Sequence, residues 1–252
     1  MELRDFEGVW LLDEAASDYG ERPLPARGVY TIRIVGSALD FAAEWVADGA
    51  PQAMRFQATP GQVQALDGGA ELHTRLDGDA LITEVVQGGV ALHTGTRRLV
   101  DGALVVEQVM AGEPPFTAVY RKIRIKQVIC YRRDLKMRKG KIAAQVAHAS
   151  LGVFSRRGQV SDVLTVPVDG PMSWWLTRGS AKVVLSVEGE DELLEIARLA
   201  SEARLPSCLI TDAGKTEFHG VPTKTTVAIG PAPAEWLDAI TGPEGAVHTK
   251  LA

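Results

Sequence analysis

The chain has 252 residues, of which 46% are hydrophobic and 23% charged, with a net charge of −5 and two cysteines. This composition is typical of a globular protein with room for two domains, and it excludes a disulfide framework. The sequence contains neither an apolar run long enough to cross a membrane nor a charged-then-apolar leader, so we expect a cytoplasmic protein that does not bind membranes.

The charge is divided unevenly along the chain. Residues 1–123 contain 10 basic and 18 acidic side chains, a balance of −8, whereas residues 124–252 contain 17 basic and 14 acidic side chains, a balance of +3. An acidic surface repels RNA phosphate and a basic one attracts it. We therefore expect two domains, 1–123 and 124–252, and any nucleic acid should bind the second.

The first domain shows closely spaced turn signals with short segments rich in Val, Leu, Ile, Thr and aromatic residues between them. Apolar and polar residues alternate in several of these segments, as in Tyr30, Ile32 and Ile34. The pattern predicts an antiparallel, up-and-down β-barrel or sandwich of about eight to ten strands.

Two short motifs of this domain, FEGVWLLDEAAS and FTAVYRK, resemble the lipocalin-like and fatty-acid-binding barrels. The resemblance implies that Gly8 and Trp10 lie on the first strand and that Arg121 or Lys122 packs on Trp10. We expect Trp10 to fill the barrel floor. An eight-stranded barrel either binds one small molecule or is filled by its own side chains, and both interpretations stay open.

The junction between the domains has no Gly, Pro or Ser from residue 118 to residue 130. A linker of this composition is neither long nor flexible. The last barrel strand should therefore lead within a few residues into the first strand of the second domain and fix the relative orientation of the two.

A basic turn followed by an amphipathic helix opens the second domain. Eight basic residues and one acid lie between residues 124 and 141, after a strand over 125–132. The spacing predicts a helix over 140–154, with an apolar face at Ile142, Val146, Ala149 and Val153 and a polar stripe at Lys141, Gln145, His148 and Gly152. A lysine in the first helical turn favours a bound anion; the alternative is a solvated lysine-rich turn.

Strands and helices alternate in the rest of the chain, which predicts an α/β domain. We expect strands over 181–187, 206–211 and 225–229, and helices over 190–203 and 233–240. Asp212 follows a strand at the edge where α/β sheets place their sites. One of Trp174 and Trp175 should be buried, and Cys130 and Cys208 should be buried free thiols.

Three motifs of the second domain, DLKMRKGKIAAQVAHA, ITDAGKT and TTVAIGPAP, resemble the type II peptidyl-tRNA hydrolases over residues 124–252. The resemblance implies a three-layer α/β fold with a mixed sheet, commonly a homodimer. It also implies cleavage of the ester between a peptidyl or aminoacyl group and the 3′ end of tRNA.

The same resemblance assigns the working residues. It implies that Lys141, Asp212 and Thr216 are catalytic, with Gln145 and His148 beside them, and it requires neither a metal nor a cofactor. His148 is either a general acid–base group or a histidine hydrogen-bonded at the edge of the core. The residues expected to contact tRNA phosphate are Arg133, Lys136, Arg138 and Lys139. The family usually has glycine where this chain has Arg138, which affects substrate choice more than chemistry.

Two other functions fit these residues. A transferase would pass an aminoacyl group from tRNA to a small amine, hydroxylamine or alcohol bound by the barrel, since the same oxyanion stabilisation serves another nucleophile. A non-catalytic tRNA-binding adaptor would keep the fold alone. The added barrel is the reason for considering the transferase.

Overall fold

The structure is a computed structural model that describes residues 1–252, apart from the side chain of residue 160. The chain divides into two compact units, Met1–Ile123 and Arg124–Ala252. No described helix has the length and apolar character needed to cross a membrane.

The first unit is a single antiparallel sheet of ten strands in the order β4-β3-β2-β1-β10-β9-β8-β7-β6-β5. Its strands are β1 Gly8–Leu12, β2 Ala26–Val35, β3 Ala38–Ala47, β4 Ala50–Ala58, β5 Val63–Ala65, β6 Ala70–Asp77, β7 Ala80–Gln87, β8 Val90–Val100, β9 Ala103–Met110 and β10 Phe116–Ile123. The first strand pairs with the last, and β4 also contacts β6. The sheet therefore forms a nearly closed barrel, as predicted.

The barrel core is built from alternate residues of its strands, because successive side chains point to opposite faces of a sheet. Trp10 is 2% exposed and donates its indole N–H to the carbonyl of Phe6 at 3.1 Å. Lys122, rather than Arg121, lies over Trp10, with its ammonium 5.0 Å from the ring centroid. Of the two basic residues expected to pack on Trp10, the structure therefore confirms Lys122.

One residue, Arg124, separates β10 from the first strand of the second unit. That unit is built on a five-stranded sheet in the order β15-β16-β11-β14-β17. The strands are β11 Ile125–Arg132, β14 Lys182–Val187, β15 Ser207–Asp212, β16 Thr223–Pro233 and β17 Lys250–Leu251, and β12 Gln159–Val160 pairs with β13 Leu164–Thr165 in a separate hairpin. Only β11 and β14 run parallel among these pairs, so the sheet is mixed, as predicted.

Four helices cover this sheet: α1 Lys139–Ser155, α2 Gly170–Thr177, α3 Glu190–Glu202 and α4 Ala234–Thr241. Helices α3 and α4 pack on the face of β11 that carries Val128 and Cys130. On the opposite face, α1 crosses β11, β15 and β16, and Gln127 of β11 donates to the carbonyl of Ser150. The three-layer α/β architecture is therefore confirmed.

Helix α1 packs on the sheet through a face rotated from the predicted one. The buried residues are Gln145, Ala149, Gly152, Val153 and Phe154. Ile142 and Val146, which were expected in the buried face, are only half-buried. A buried glutamine is tolerated when its amide is hydrogen-bonded, and a buried glycine allows the helix to approach the sheet closely.

The other elements of the second unit follow the prediction with shifted ends. Strand β16 continues to Pro233, four residues beyond its expected end, and β15 includes Asp212 as its last residue. Trp174 and Trp175 lie on α2, where Trp175 is 4% exposed and Trp174 is half-buried. Cys130 and Cys208 are both buried.

Helix α1 comes very close to strand β15 at Gly152. A Cβ atom on Gly152 would lie 2.4 Å from the Cys208 sulfur, whereas one on Gly140 would meet nothing within 4 Å. Overpacking of this kind forces neighbouring atoms to move. Glycine at position 152 is thus required by contact with β15 rather than by backbone conformation.

We expect Gly152→Ala to lower the free energy of unfolding by about 1–3 kcal/mol, because the added methyl group overlaps Cys208. Gly140→Ala, the matched control in the same helix, should not destabilise the protein, and Cys208→Ala should remove most of the cost of Gly152→Ala. Urea denaturation of Gly152→Ala, Gly140→Ala, Cys208→Ala and the double variant Gly152→Ala/Cys208→Ala measures these changes. Equal stability changes at positions 140 and 152 would contradict this account of the packing.

Candidate active site

The start of α1 and the end of β15 lie side by side, and they bring together polar residues from distant parts of the sequence. Lys141 lies in the first turn of α1, and Asp212 is the last residue of β15. The Lys141 ammonium donates to the Asp212 carboxylate at 2.6 Å and to the Thr216 hydroxyl at 3.1 Å. The structure therefore brings together the three residues that the resemblance named as catalytic.

Asp212 is fixed through both carboxylate oxygens. Oδ2 accepts from Lys141 and from the Gln145 amide, the latter at 2.9 Å, and Oδ1 accepts from the backbone N–H of Gly214 at 2.9 Å. The side chains of Lys141 and Asp212 are 11% and 14% exposed. This contact is therefore screened less by solvent than an ordinary surface pair.

The pKa of Asp212 is lowered from its usual value. The hydrogen bond from Lys141 is the main cause, and it outweighs burial, which raises the pKa; the Gly214 N–H and the Gln145 amide lower it further. The carboxyl group is therefore ionised at neutral pH. It can accept hydrogen bonds throughout the neutral range.

Gln145 is oriented by a residue that the sequence did not single out. The Thr225 hydroxyl on β16 donates to Oε1 of Gln145 at 2.5 Å, which directs the amide N–H₂ group toward Asp212. Gln145 is 2% exposed and Thr225 is fully buried. Thr225 lies in the polar run Thr-Lys-Thr-Thr that opens β16 and is the first residue of the TTVAIGPAP motif, but neither feature indicates its contact with Gln145.

The segment between β15 and β16 closes one side of the site. Gly214 has a φ of +78°, and a Cβ atom there would lie 2.4 Å from the carbonyl oxygen of Val221, so only glycine fits. The N–H groups of Phe218 and Gly220 both donate to the carbonyl of Gly214. The Phe218 ring centroid lies 5.5 Å from the Lys141 ammonium, within the range of a cation–π contact.

His148 is exposed on α1. Among the contacts of the described residues, none joins it to Lys141, Asp212 or Thr216, and none supplies the expected structural hydrogen bond. The arrangement therefore supports neither of the two roles considered for His148.

The basic residues before α1 differ in their surroundings. Arg133 pairs with Glu188 at 3.2 Å and Arg138 pairs with Glu217 at 2.7 Å. Lys136 and Lys139 are exposed. Among the described side chains, no group of three or more His, Cys, Asp or Glu residues is placed to hold a metal ion.

The other side of α1 borders an apolar groove of about 1200 Å³. Val146 and Leu151 of α1, Trp175 and Leu176 of α2, and Leu164 of the β12–β13 hairpin line it. Leu151 is 61% exposed, Leu176 47% and Leu164 45%. Exposed aliphatic side chains on neighbouring elements are typical of an interaction surface.

Solved structures with a similar barrel cover the N-terminal half. The wild-type fluorescent protein UnaG is 18% identical with a TM-score of 0.40, and the match covers 48% of this chain and 99% of that one. A REP1-NXSQ fatty acid transporter is 15% identical with a TM-score of 0.36, covering 48% and 98% of the two chains.

The C-terminal half matches the family model described as peptidyl-tRNA hydrolase PTH2 over residues 125–243. A peptidyl-tRNA hydrolase of Methanopyrus kandleri is 46% identical over 117 residues, which cover 46% of this chain and 93% of the relative. One from Methanothermobacter thermautotrophicus is 45% identical over 118 residues, covering 47% and 96%. A probable peptidyl-tRNA hydrolase 2 of Drosophila melanogaster is 40% identical over 126 residues, covering 50% and 61%. Through its second unit, the chain belongs to the peptidyl-tRNA hydrolase PTH2 family.

Proposed function

We propose that the second unit hydrolyses the ester bond between a peptide and the 3′ end of tRNA. The contact of Lys141 with Asp212 and Thr216 is the observation that carries this proposal. The site offers a carboxylate, an ammonium and a hydroxyl to one reacting ester, and the chain belongs to a family whose curated relatives are named for this activity.

Ester hydrolysis requires a positioned water molecule and stabilisation of the charge that develops on oxygen. Oδ1 of Asp212 accepts one hydrogen bond from the described residues, that of Gly214, and a carboxylate oxygen can accept a second one from water. Because the lowered pKa makes Asp212 a weak base, we assign it mainly to orienting the attacking water. The water oxygen forms the new bond to the ester carbon, the bond from that carbon to the 3′-oxygen breaks, and the proton lost by the water ends on the leaving 3′-oxygen, which gives a free peptide carboxyl group and a tRNA 3′-hydroxyl.

Lys141 supplies the positive charge. Its ammonium has three N–H donors, and the described contacts use two of them, with Asp212 and Thr216. The third can donate to the carbonyl oxygen of the ester or to the leaving 3′-oxygen, and the free N–H groups at the start of α1 add to the same field. Thr216 positions the ammonium, and Gln145 positions the carboxylate.

We also propose that Lys136 and Lys139 contact tRNA phosphate. Both are exposed beside the start of α1, in the unit with the net positive charge. Phosphate contacts position a nucleic acid without reading its sequence. The substrate is therefore recognised mainly by its backbone and its acylated 3′ end, and we place the protein in the cytoplasm, where such a substrate is made.

No contact among the described residues favours the transferase or the adaptor over hydrolysis. The transferase would need a nucleophile delivered from the barrel. The adaptor would not need the paired Lys141 and Asp212. Both remain predictions from the sequence alone.

We further propose that the apolar groove beside α1 is a homodimer interface. Leu151, Leu164 and Leu176 expose aliphatic surface on three neighbouring elements. Burial of such surface stabilises an assembly by about 25 cal/mol per Å². Lys139 also lines this groove and lies two residues before Lys141, so it borders both the proposed interface and the proposed tRNA-binding surface.

For the barrel we propose a small ligand that carries an anionic group. Arg97 of β8 is 1% exposed and donates to the Tyr30 hydroxyl at 2.7 Å, the Thr83 hydroxyl at 2.9 Å and the Gly95 carbonyl at 3.0 Å. None of these partners is charged, and no described carboxylate pairs with Arg97. A buried guanidinium remains ionised, and without a counter-charge it is costly.

The surroundings of Arg97 suit a carboxylate with an apolar body. The buried Thr74 hydroxyl, opposite Thr83 on the neighbouring strand, has no hydrogen-bond partner. Burial raises the pKa of Tyr30, so the phenol stays protonated and can donate to an anion. The rings of Phe41 and Phe56 stack with centroids 4.7 Å apart and offer an apolar surface near the guanidinium.

The hydrolase proposal predicts that Lys141→Ala and Asp212→Asn each lower kcat/KM for N-blocked aminoacyl-tRNA by about 100-fold or more, because each removes charge from the reacting centre. His148→Ala should change it by less than about threefold, since His148 is outside the contacts of the site. Both expectations are checked by measuring release of the acyl group from tRNA, with and without a panel of small amines. Release that depends on an amine would support the transferase instead.

The dimer proposal predicts that light scattering gives twice the chain mass for the wild type and the single chain mass for Leu151→Lys. A lysine at this position would bring an unpaired charge into the interface. Val100→Lys replaces an exposed aliphatic residue of the barrel and should stay dimeric. A wild-type protein with the mass of one chain at micromolar concentration would refute the interface.

The barrel proposal predicts that carboxylates from a panel of short, long and aromatic acids raise the thermal unfolding midpoint, while their amides do not. Arg97→Met should lose this shift without losing stability in the ligand-free state, because it removes a buried, unpaired charge. Leu99→Met on the same strand is the matched control. Absence of a shift with every carboxylate would favour the filled, structural barrel.

A further inference from the structure

Arg138 and Glu217 form an ion pair at the entrance of the active site. Arg138 is the N-cap residue of α1, three positions before Lys141, and Glu217 directly follows Thr216. The guanidinium Nε donates to Oε1 of Glu217 at 2.7 Å. The pair therefore joins the two segments that carry Lys141 and Thr216.

The segment from Gly214 to Val221 meets α1 through few side chains. Thr216 accepts from Lys141, Phe218 faces the Lys141 ammonium, and Glu217 accepts from Arg138. The N–H groups of Phe218 and Gly220 donate to the carbonyl of Gly214, and the carbonyl of Phe218 accepts from Val221, so these hydrogen bonds stay within the segment. Among the side-chain contacts given for the described residues of this segment, the one with Arg138 reaches the start of α1 without involving Lys141.

The two members of the pair differ in exposure. The Glu217 side chain is 15% exposed, whereas that of Arg138 is 80% exposed. Pairs between two exposed side chains contribute little, because solvent screens both charges. Here the carboxylate is largely withdrawn from water, so loss of its partner leaves a poorly solvated charge beside Thr216.

We propose that Arg138 and Glu217 are positioning residues that hold Thr216 against Lys141, and that Arg138 serves catalysis in this way rather than as a ligand of tRNA phosphate. The inference rests on the proposed hydrolase function. It also assigns a role to Arg138, which occupies a position where the family usually has glycine.

The two roles of Arg138 predict opposite kinetics. If Arg138 binds phosphate, Arg138→Met raises KM, and Glu217→Gln leaves kcat unchanged because it frees the guanidinium for RNA. If the pair positions Thr216, both substitutions lower kcat, and the double variant is no worse than either single one. Residues that act through one interaction are non-additive in this way.

The experiment measures hydrolysis of N-blocked aminoacyl-tRNA by the wild type, Arg138→Met, Glu217→Gln and the double variant. We expect kcat about tenfold lower in all three variants, with KM changed less than about twofold. Arg198→Met is the matched control, since it removes an exposed arginine that pairs with Glu195 and Glu202 on α3, and it should behave as wild type.

Amide hydrogen exchange provides a readout that does not depend on activity. The N–H groups of Phe218 and Gly220 should exchange faster in Arg138→Met and Glu217→Gln, while α3 is unchanged. A raised KM for Arg138→Met with normal kcat for Glu217→Gln would overturn the proposal, as would unchanged exchange in both. A wild type that releases no acyl group, with faster exchange in the variants, would refute the hydrolase function and leave the positioning pair intact.

Discussion

The second unit depends on one contact, the hydrogen-bonded ion pair of Lys141 and Asp212. These residues are 71 positions apart; Lys141 lies in the first turn of α1, and Asp212 is the last residue of β15. Near the other end of α1, Gly152 lets the helix approach Cys208 of β15 closely. Packing close to the C-terminal end of the helix thus supports the geometry of charge at its start.

The site combines buried supporting residues with a reacting pair that is largely withdrawn from solvent and an exposed threonine at its edge. Thr225 and Gln145 are buried, and the Thr225 hydroxyl directs the side-chain amide of Gln145 toward Asp212. Thr216, in contrast, is exposed. Buried, fully hydrogen-bonded polar groups hold their orientation, which is what an orienting carboxylate requires. The exposed side is where a large RNA substrate can reach the ammonium without the domain opening.

Part of the site could be predicted from local rules, whereas the grouping of Lys141 with Asp212 and Thr216 came from the family resemblance. Lys141 and Gln145 are one helical turn apart, and Asp212 and Thr216 lie at the end of a strand and just after it, so proximity within each segment is readable from the sequence. Thr225 was missed because its role depends on how α1 packs on β16, which brings it to Gln145, 80 positions away. Arg97 was missed for a similar reason, since its partner Tyr30 is 67 positions away. The end strand β17 has only two residues, too few for any alternating pattern.

The pairing of β1 with β10 has a consequence for synthesis of the chain. Trp10 of β1 lies opposite Lys122 of β10. The pairing of these two strands, which lie in the middle of the barrel sheet, therefore cannot form until almost the whole first unit has left the ribosome. Contacts this distant in sequence form slowly. Because β11 begins two residues after β10 ends, synthesis of the second unit starts before the β1–β10 pair of the barrel has had time to form.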